Sequence, residues 1–366
     1  EIVKALVKGC EILILDEPTA VLTPQETTEL FVQLKHLKET GCTIIFISHK
    51  LNEVKELCDR VTVIRRGRTI GLFNIEDVTE ADISKAMVGI DVDLVIPKEK
   101  AQPKENVLVV KDLGIYNAIG KKVVKNISFS VRSGEVVGIA GVEGNGQREL
   151  IDAITGLHIY TEGSINLLGQ EVGKKNIKGL REHGLVHVPE DRMTLGVAGA
   201  SSIKENMVAD KIDLEQFGNK MLTNQEAIKK QTDEWIKEYL VLCKNGEQAV
   251  SGLSGGNIQK VVVAREFTSY NKLIVCDQPT RGIDVGASEF IRRRMIEMRD
   301  EGKAILLISA DLGELMNISD SLMVMYGGEI VAYFPDLSDL SEEELGYYML
   351  GVKKMTPEQI GGALHE

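Results

Sequence analysis

The chain has 366 residues, enough for more than one hydrophobic core, and 43 Lys and Arg against 55 Asp and Glu give it a net charge of −12. That balance disfavours a general nucleic-acid surface, and no apolar run approaches the length of a membrane span. The five cysteines (Cys10, Cys42, Cys58, Cys243, Cys276) are scattered, odd in number and free of CxxC spacing, which fits reduced, inert thiols in a cytosol and not a disulfide frame or a zinc site.

In chain order, apolar and β-branched runs predict a strand at 11–15, a helix after Pro24, a strand at 43–47, a short helix from Leu51 and a strand at 61–65. The stretch PKEKAQPKEN from Pro97 to Asn106 lacks large apolar residues and reads as a linker. Beyond it, 107–112 and 126–131 alternate like half-buried strands, 135–140 reads as a buried strand, and a helix starts near Glu149. From about 202 to 243 strand runs disappear and helical patterning dominates around 226–242. A buried strand is predicted at 273–276, ending at Asp277. Alternating strands and helices imply an α/β core. Trp235 and the methionines read as core packing, and Arg292-Arg293-Arg294 as a solvated helix face. The polar, glycine-containing tail after Lys353 is expected to fray.

The sequence repeats itself. Asp16-Glu17-Pro18-Thr19 returns as Asp277-Gln278-Pro279-Thr280, an offset of 261. Ser48-His49-Lys50-Leu51 returns at the same offset as Ser309-Ala310-Asp311-Leu312, and so do Asp59 and Gly67 as Asp320 and Gly328. Met87-Val88-Gly89 matches Met349-Leu350-Gly351 after a slip of one residue. Two copies of one domain are therefore expected. The second has 171 residues from Asn106 to Cys276 before its acid and the first only 15, so the first copy is expected to lack roughly 156 residues, including its phosphate loop.

Three patterns carry chemistry. A short apolar strand ending in an acid, at Asp16 and Asp277, places a carboxylate where Mg²⁺ on a nucleotide triphosphate is held. Gly141-Val142-Glu143-Gly144-Asn145-Gly146-Gln147-Arg148 runs from a strand into a helix, the context of a phosphate loop. Gln147 stands there at the lysine position and Arg148 at the Ser/Thr position, so neither the point charge nor the Mg²⁺-binding hydroxyl is present. Third, Leu253-Ser254-Gly255-Gly256 with Gln259 opens a helix whose N-terminal backbone amides suit a γ-phosphate.

The conjunction of LSGG, Gln259, the following apolar strand and the Asp-Gln-Pro-Thr turn resembles ATP-binding cassette (ABC) ATPases. The tandem arrangement, GVEGNGQ, VPEDR (188–192) and PTRGIDVGA (279–287) resemble the import ATPases for simple sugars and nucleosides, with Asp277-Gln278 nearer the nucleoside branch than the ribose or galactose branch. The resemblance implies P-loop NTPase ABC domains, each an α/β RecA-like core with a helical subdomain. Residues 1–95 would be the later part of a first copy and 96–105 a linker. Residues 106–352 would be a complete second copy, with its helical subdomain at about 200–258, and 353–366 a tail.

The same resemblance implies ATP and Mg²⁺ as ligands, Asp16 and Asp277 as metal ligands, Glu17 as the carboxylate that polarises water and His49 as the switch histidine. Glu190 takes the Q-loop position, and Tyr116, upstream of Gly141, takes the place of an aromatic that stacks on adenine. Gly141, Gly144, Asn145, Gly146, Gln147 and Arg148 would cradle phosphate. Because such domains pair head to tail, Asp16, Glu17 and His49 would meet Ser254, Gly255, Gly256 and Gln259 in one competent site. Gln147, Asp277, Gln278 and Ala310 would form a degenerate one. The implied partners are two membrane permease subunits and an extracellular or periplasmic solute-binding protein, with the chain peripheral on the cytoplasmic membrane face and no nucleic acid. The 366-residue chain alone is expected to have negligible turnover. A soluble tandem ABC protein acting on ribosomes or DNA is the alternative; it predicts a basic linker and two competent sites.

Overall fold

The computed structural model describes residues 11–365 apart from Ala20, Val21, His49, Arg66, 90–95, Lys175 and 219–221. It opens with two parallel strands, β1 (Ile12–Asp16) and β2 (Thr43–Ile47), with Asp16 opposite Ile47. Between them lies α1 (Pro24–Glu39), started by a capping box of Thr23 and Glu26 with Pro24 in its first turn. Phe31 and Leu34 of α1 cover Leu13 and Leu15. The other face is bare: Ile12, Ile14, Ile45 and Ile47 are 60, 63, 47 and 48 % exposed. Then follow α2 (Leu51–Leu57), the antiparallel pair β3 (Arg60–Arg65) and β4 (Arg68–Asn74), and α3 (Glu80–Val88), which ends at Gly89 in the left-handed conformation.

The expected linker is free of helix and strand but docked. Ile96 is buried, its N–H donates to Asn317 Oδ1, and Lys98 Nζ donates to the carbonyls of Ile318 and Ser319. The segment after it builds two sheets. β5 (Asn106–Tyr116), β6 (Lys122–Arg132), β8 (Glu162–Leu167) and β9 (Gln170–Glu171) form an antiparallel sheet in the order β6-β5-β8-β9. β7 (Glu135–Ala140), wholly buried as its continuous apolar run requires, lies inside a six-stranded sheet. The other strands of that sheet are β10 (Leu185–Val188), β11 (Leu273–Asp277), β12 (Ala304–Ile308), β13 (Ser321–Tyr326) and β14 (Glu329–Phe334), in the order β10-β11-β12-β7-β13-β14.

Helices cover both faces. One core layer lies under α4 (Gln147–Ile154), α5 (Ile177–Glu182) and the antiparallel sheet. The other gathers α6 (Ile203–Val208), α7 (Gln225–Glu238), α8 (Gly255–Phe267), α9 (Val285–Asp300), α10 (Leu312–Ile318) and α11 (Glu342–Met349). In α7, Trp235 is buried edge-to-face against Phe217.

Two expectations change. The tail does not fray: α12 (Pro357–Gly361) is capped by Thr356 and Gln359, and Ala363 is buried. The Ser130 N–H of β6 donates to Ala363 O, and the His365 N–H donates to Ser130 Oγ. Arg292, Arg293 and Arg294 are not a solvated face either. Arg292 pairs with Asp311 and Glu314, Arg293 with Glu289, and Arg294 with Glu238 and Glu297 while lying over the Tyr239 ring.

The repeat is visible in the backbone. At the offset found in the sequence, β1, β2, α2 and β3 recur as β11, β12, α10 and β13 with the same bounds, and Asp277 faces Ile308 as Asp16 faces Ile47.

Candidate functional site

The segment after β7 turns sharply into α4. Gly141 has φ +155° and Gly146 φ +103°, and a Cβ on either would lie 2.7 Å from a backbone oxygen, of Met325 and Val123 respectively. The loop is also tied from within. Asn145 Nδ2 and Gln147 Nε2 both donate to Val142 O, at 3.0 and 3.2 Å, and Asn145 Oδ1 accepts from Gly327 N at 2.8 Å. Gln147 is thus a buried strut of the loop, where a lysine would present an ammonium group to phosphate.

Beside the loop is a cavity of about 190 Å³. Its walls include Gly141, Gly144, Gln147 and Arg148 of the loop, together with Glu190, Asp277, Gln278 and Ala310. Burial first, then the neighbouring carboxylates Glu190 and Asp152, raise the Asp277 pKa to about 7, against the opposing pull of Arg148 and Arg281. Arg281 pairs tightly with Glu190 and lies 3.9 Å from Glu143, so one guanidinium spans the cavity mouth. Gln278 Oε1 accepts the Ala310 N–H at 2.9 Å. The backbone has the shape of a phosphate cradle. For magnesium held on a nucleotide, Asp277 and Gln278 supply side-chain oxygens at this cavity, and Arg148 supplies none where a Ser or Thr hydroxyl would stand; no group of three His, Cys, Asp or Glu suited to a metal occurs among the described residues.

The first acidic turn has the same backbone. Glu17 has φ +45° and Gln278 φ +49°, and their N–H groups donate to Ile47 O and Ile308 O, each at 2.9 Å. Non-glycine residues adopt this region only where the surroundings impose it. Asp16 is exposed at the end of β1. His49 lies outside the described residues.

The signature residues lie away from this cavity, and none of them lines it. Ser254 is the exposed N-cap of α8, its Oγ accepting from Asn257 Nδ2 at 2.8 Å, and Gly255 is half-buried beside it. Gly256 and Gln259 are buried, and Gln259 Nε2 donates to Pro279 O at 2.8 Å. Gln259 therefore braces the turn after β11 from below. The spacing LSGGxxQ could not distinguish a ligand contact from this brace. Tyr116 is 40 % exposed at the end of β5, hydrogen-bonded to Glu162 at 2.7 Å, with Lys122 Nζ 5.7 Å from its ring centroid.

Sequence reasoning missed Arg281, Glu143 and Leu22. Arg281 stood inside the PTRGID segment without a role. Leu22 follows the first acidic turn, yet it lines the same cavity as Gly141–Glu149.

A family model described as "ABC transporter" matches residues 124–281. Over 96 % of its length the chain is 42 % identical to a nucleoside import ATP-binding protein of Lactococcus lactis, covering 69 % of that protein. It is 40 % identical to a guanosine import ATP-binding protein of Bacillus subtilis, covering 69 % of it, and 39 % identical to a glucose import ATP-binding protein of Haloferax volcanii, covering 64 %. Among solved structures, an ATP-binding cassette of an ABC transporter in its ADP conformation matches 70 % of this chain and 98 % of its own, with a TM-score of 0.54 at 24 % identity, a likeness of fold alone.

Proposed function

The chain belongs to the ATP-binding proteins of ABC importers, ATPases that couple hydrolysis to transport, and from that premise we propose that it energises uptake of a nucleoside or simple sugar through one hydrolytic and one degenerate ATP site. In this reading residues 1–95 are the later part of a first ABC copy and 106–352 a second. The shared register of strands and helices, and relatives longer than this chain, support it.

The observation that carries the assignment of sites is the pair of turns. Glu17 and Gln278 share one backbone conformation and one hydrogen bond, and only Glu17 is an acid. A carboxylate there polarises an attacking water, whereas an amide orients it without accepting a proton. Asp16 would hold Mg²⁺ on ATP, and His49 would face the γ-phosphate. Leu22 at the other copy's phosphate loop supports head-to-tail pairing, which would bring Asp16 and Glu17 to the Ser254–Gly256 loop.

Among the described residues no helix is long and apolar enough to cross a membrane. The importer reading therefore supplies two permease subunits as the membrane path, a solute-binding protein to deliver substrate, and a peripheral position on the cytoplasmic face. The docked, mixed-charge linker offers no basic surface of the kind a ribosome- or DNA-acting protein needs.

The test is phosphate release by the assembled transporter. Glu17→Gln is expected to lower kcat by about 10²-fold or more, while Gln278→Glu changes it less than about twofold. Turnover that survives Glu17→Gln would overturn the assignment. The 366-residue chain alone should show no turnover sensitive to that substitution.

A further inference from the structure

One buried carboxylate outside the acidic turns recurs in both halves. In the first, Thr19 Oγ1 donates to Glu53 Oε2 at 2.7 Å and Ser48 Oγ donates to the same oxygen at 3.2 Å. Thr19 is 2 % and Glu53 5 % exposed. Thr19 lies just beyond Glu17, and Ser48 immediately precedes position 49. A single carboxylate therefore ties the acidic turn to the segment leading into the histidine. At the equivalent place in the second half, Thr280 Oγ1 donates to Glu314 Oε1 at 2.9 Å, and Glu314 is fully buried.

A buried carboxylate requires charge compensation, and the halves supply it differently. Lys50 Nζ lies 3.3 Å from Glu53 Oε1. Its counterpart is Asp311, an acid that would repel Glu314. There the cation is Arg292, with Nε 3.1 Å from Glu314 and Nη2 2.8 Å from Asp311. The counterpart of Arg292 is Phe31, apolar and buried. Lys50 against Asp311 and Phe31 against Arg292 thus form a compensated pair of exchanges, and the Thr–Glu bond is present on both sides of them. It is present in the second half even though Gln278 and Ala310 stand where the first has Glu17 and His49. The bond therefore serves the shape of the turn, and that turn holds its residue at positive φ.

We propose that Glu53 is a positioning residue for ATP hydrolysis. It holds Thr19 and Ser48 so that the turn bearing the Glu17 carboxylate stays fixed against the end of β2, and Glu314 holds the turn at Gln278 through Thr280 in the same way. The inference rests on the assignment of Glu17 as the hydrolytic acid.

Steady-state ATP turnover in the assembled transporter tests it, with Glu53→Gln, Thr19→Val, both together, Thr19→Ser and Glu314→Gln set beside Glu17→Gln. Glu53→Gln is expected to lower kcat about tenfold or more while KM for ATP changes less than about twofold, because misplaced groups lose rate before affinity. Thr19→Val should do the same, and the double variant no worse than Glu53→Gln alone. Thr19→Ser keeps the hydroxyl and should restore the parental rate. Glu314→Gln should leave kcat within about twofold of the parent, since its turn performs no chemistry. A parental kcat in Glu53→Gln overturns the inference, and so does an equal loss in Glu53→Gln and Glu314→Gln that follows their melting temperatures. If Glu17→Gln itself leaves turnover intact, the underlying site assignment fails and this inference falls with it.

Discussion

Arg299 Nη1 lies 2.8 Å from Asp320 Oδ1, and the arginine side chain is 1 % exposed. The equivalent pair in the first half is Lys38 and Asp59, 2.5 Å apart but 47 and 71 % exposed. One geometry therefore occurs at two depths. Removing one partner of a buried pair strands a charge and costs about 3–5 kcal/mol, whereas an exposed pair contributes under about 1 kcal/mol. Lys98 Nζ lies 3.6 Å from the same Asp320 oxygen and stays in place, so urea denaturation of Arg299→Ala should show a loss below the full figure for a stranded charge but larger than that of Lys38→Ala.

The Asp277 carboxyl gives a pH signature. Its folded pKa of about 7 lies above the ordinary aspartate value, so between those limits the native state binds a proton that the unfolded chain has lost. The neutral form's contribution is complete below the unfolded pKa and disappears as pH rises through 7. Without nucleotide, Asp277→Asn should gain stability relative to the parent by on the order of 2 kcal/mol between pH 5 and pH 8. Denaturation curves at the two pH values measure it, and a pH-independent difference would show that Asp277 ionises normally.

Arg281 lowers the charge density at the cavity mouth by pairing with Glu190. Arg281→Ala leaves Glu190 and Asp277 facing each other without that cation. A destabilisation of about 1 kcal/mol is expected, modest because the pair is partly open to solvent. Thermal unfolding of the variant beside the parent measures it.

Gln147 is bonded to its own loop, so a lysine there should point into the cavity and add a charge-assisted contact to phosphate. Gln147→Lys is expected to tighten binding of a fluorescent ATP analogue about tenfold, from about 1.5 kcal/mol of added interaction. Under the proposed site assignment the variant should gain no turnover there, because Gln278 is unchanged.

Much of this was legible in the sequence because strand ends, turns and repeats are local signals. Asp16 and Asp277 fall where apolar strands stop, and the apolar runs at 11–15, 43–47 and 61–65 lie within one residue of the observed strands. Side-chain direction was not legible. Gln259 and Arg292 fit solvent or ligand roles by spacing, yet one braces Pro279 and the other neutralises Glu314. The tail was a misjudged local signal: Thr356-Pro357-Glu358-Gln359 spells a capping box with proline in the first turn, and polar composition was weighed above it. Glu53 and Thr19 were beyond reach, since they are far apart along the chain and nothing in sequence marks a contact at that range.

The bare outer face of β1 and β2 sets a limit on cooperativity. Ile12, Ile14, Ile45 and Ile47 are open to water, whereas their counterparts Leu273, Val275, Leu306 and Ile308 are at most 4 % exposed. Strand pairs with the same bounds and register therefore occupy opposite ends of the local-unfolding scale within one polypeptide. Backbone amides of β1 and β2 should exchange with deuterium through frequent small openings, and those of β11 and β12 only through opening of the whole six-stranded unit. A calorimetric trace should divide into an early, shallow event for residues 11–89 and a later, sharper one for residues 106–352.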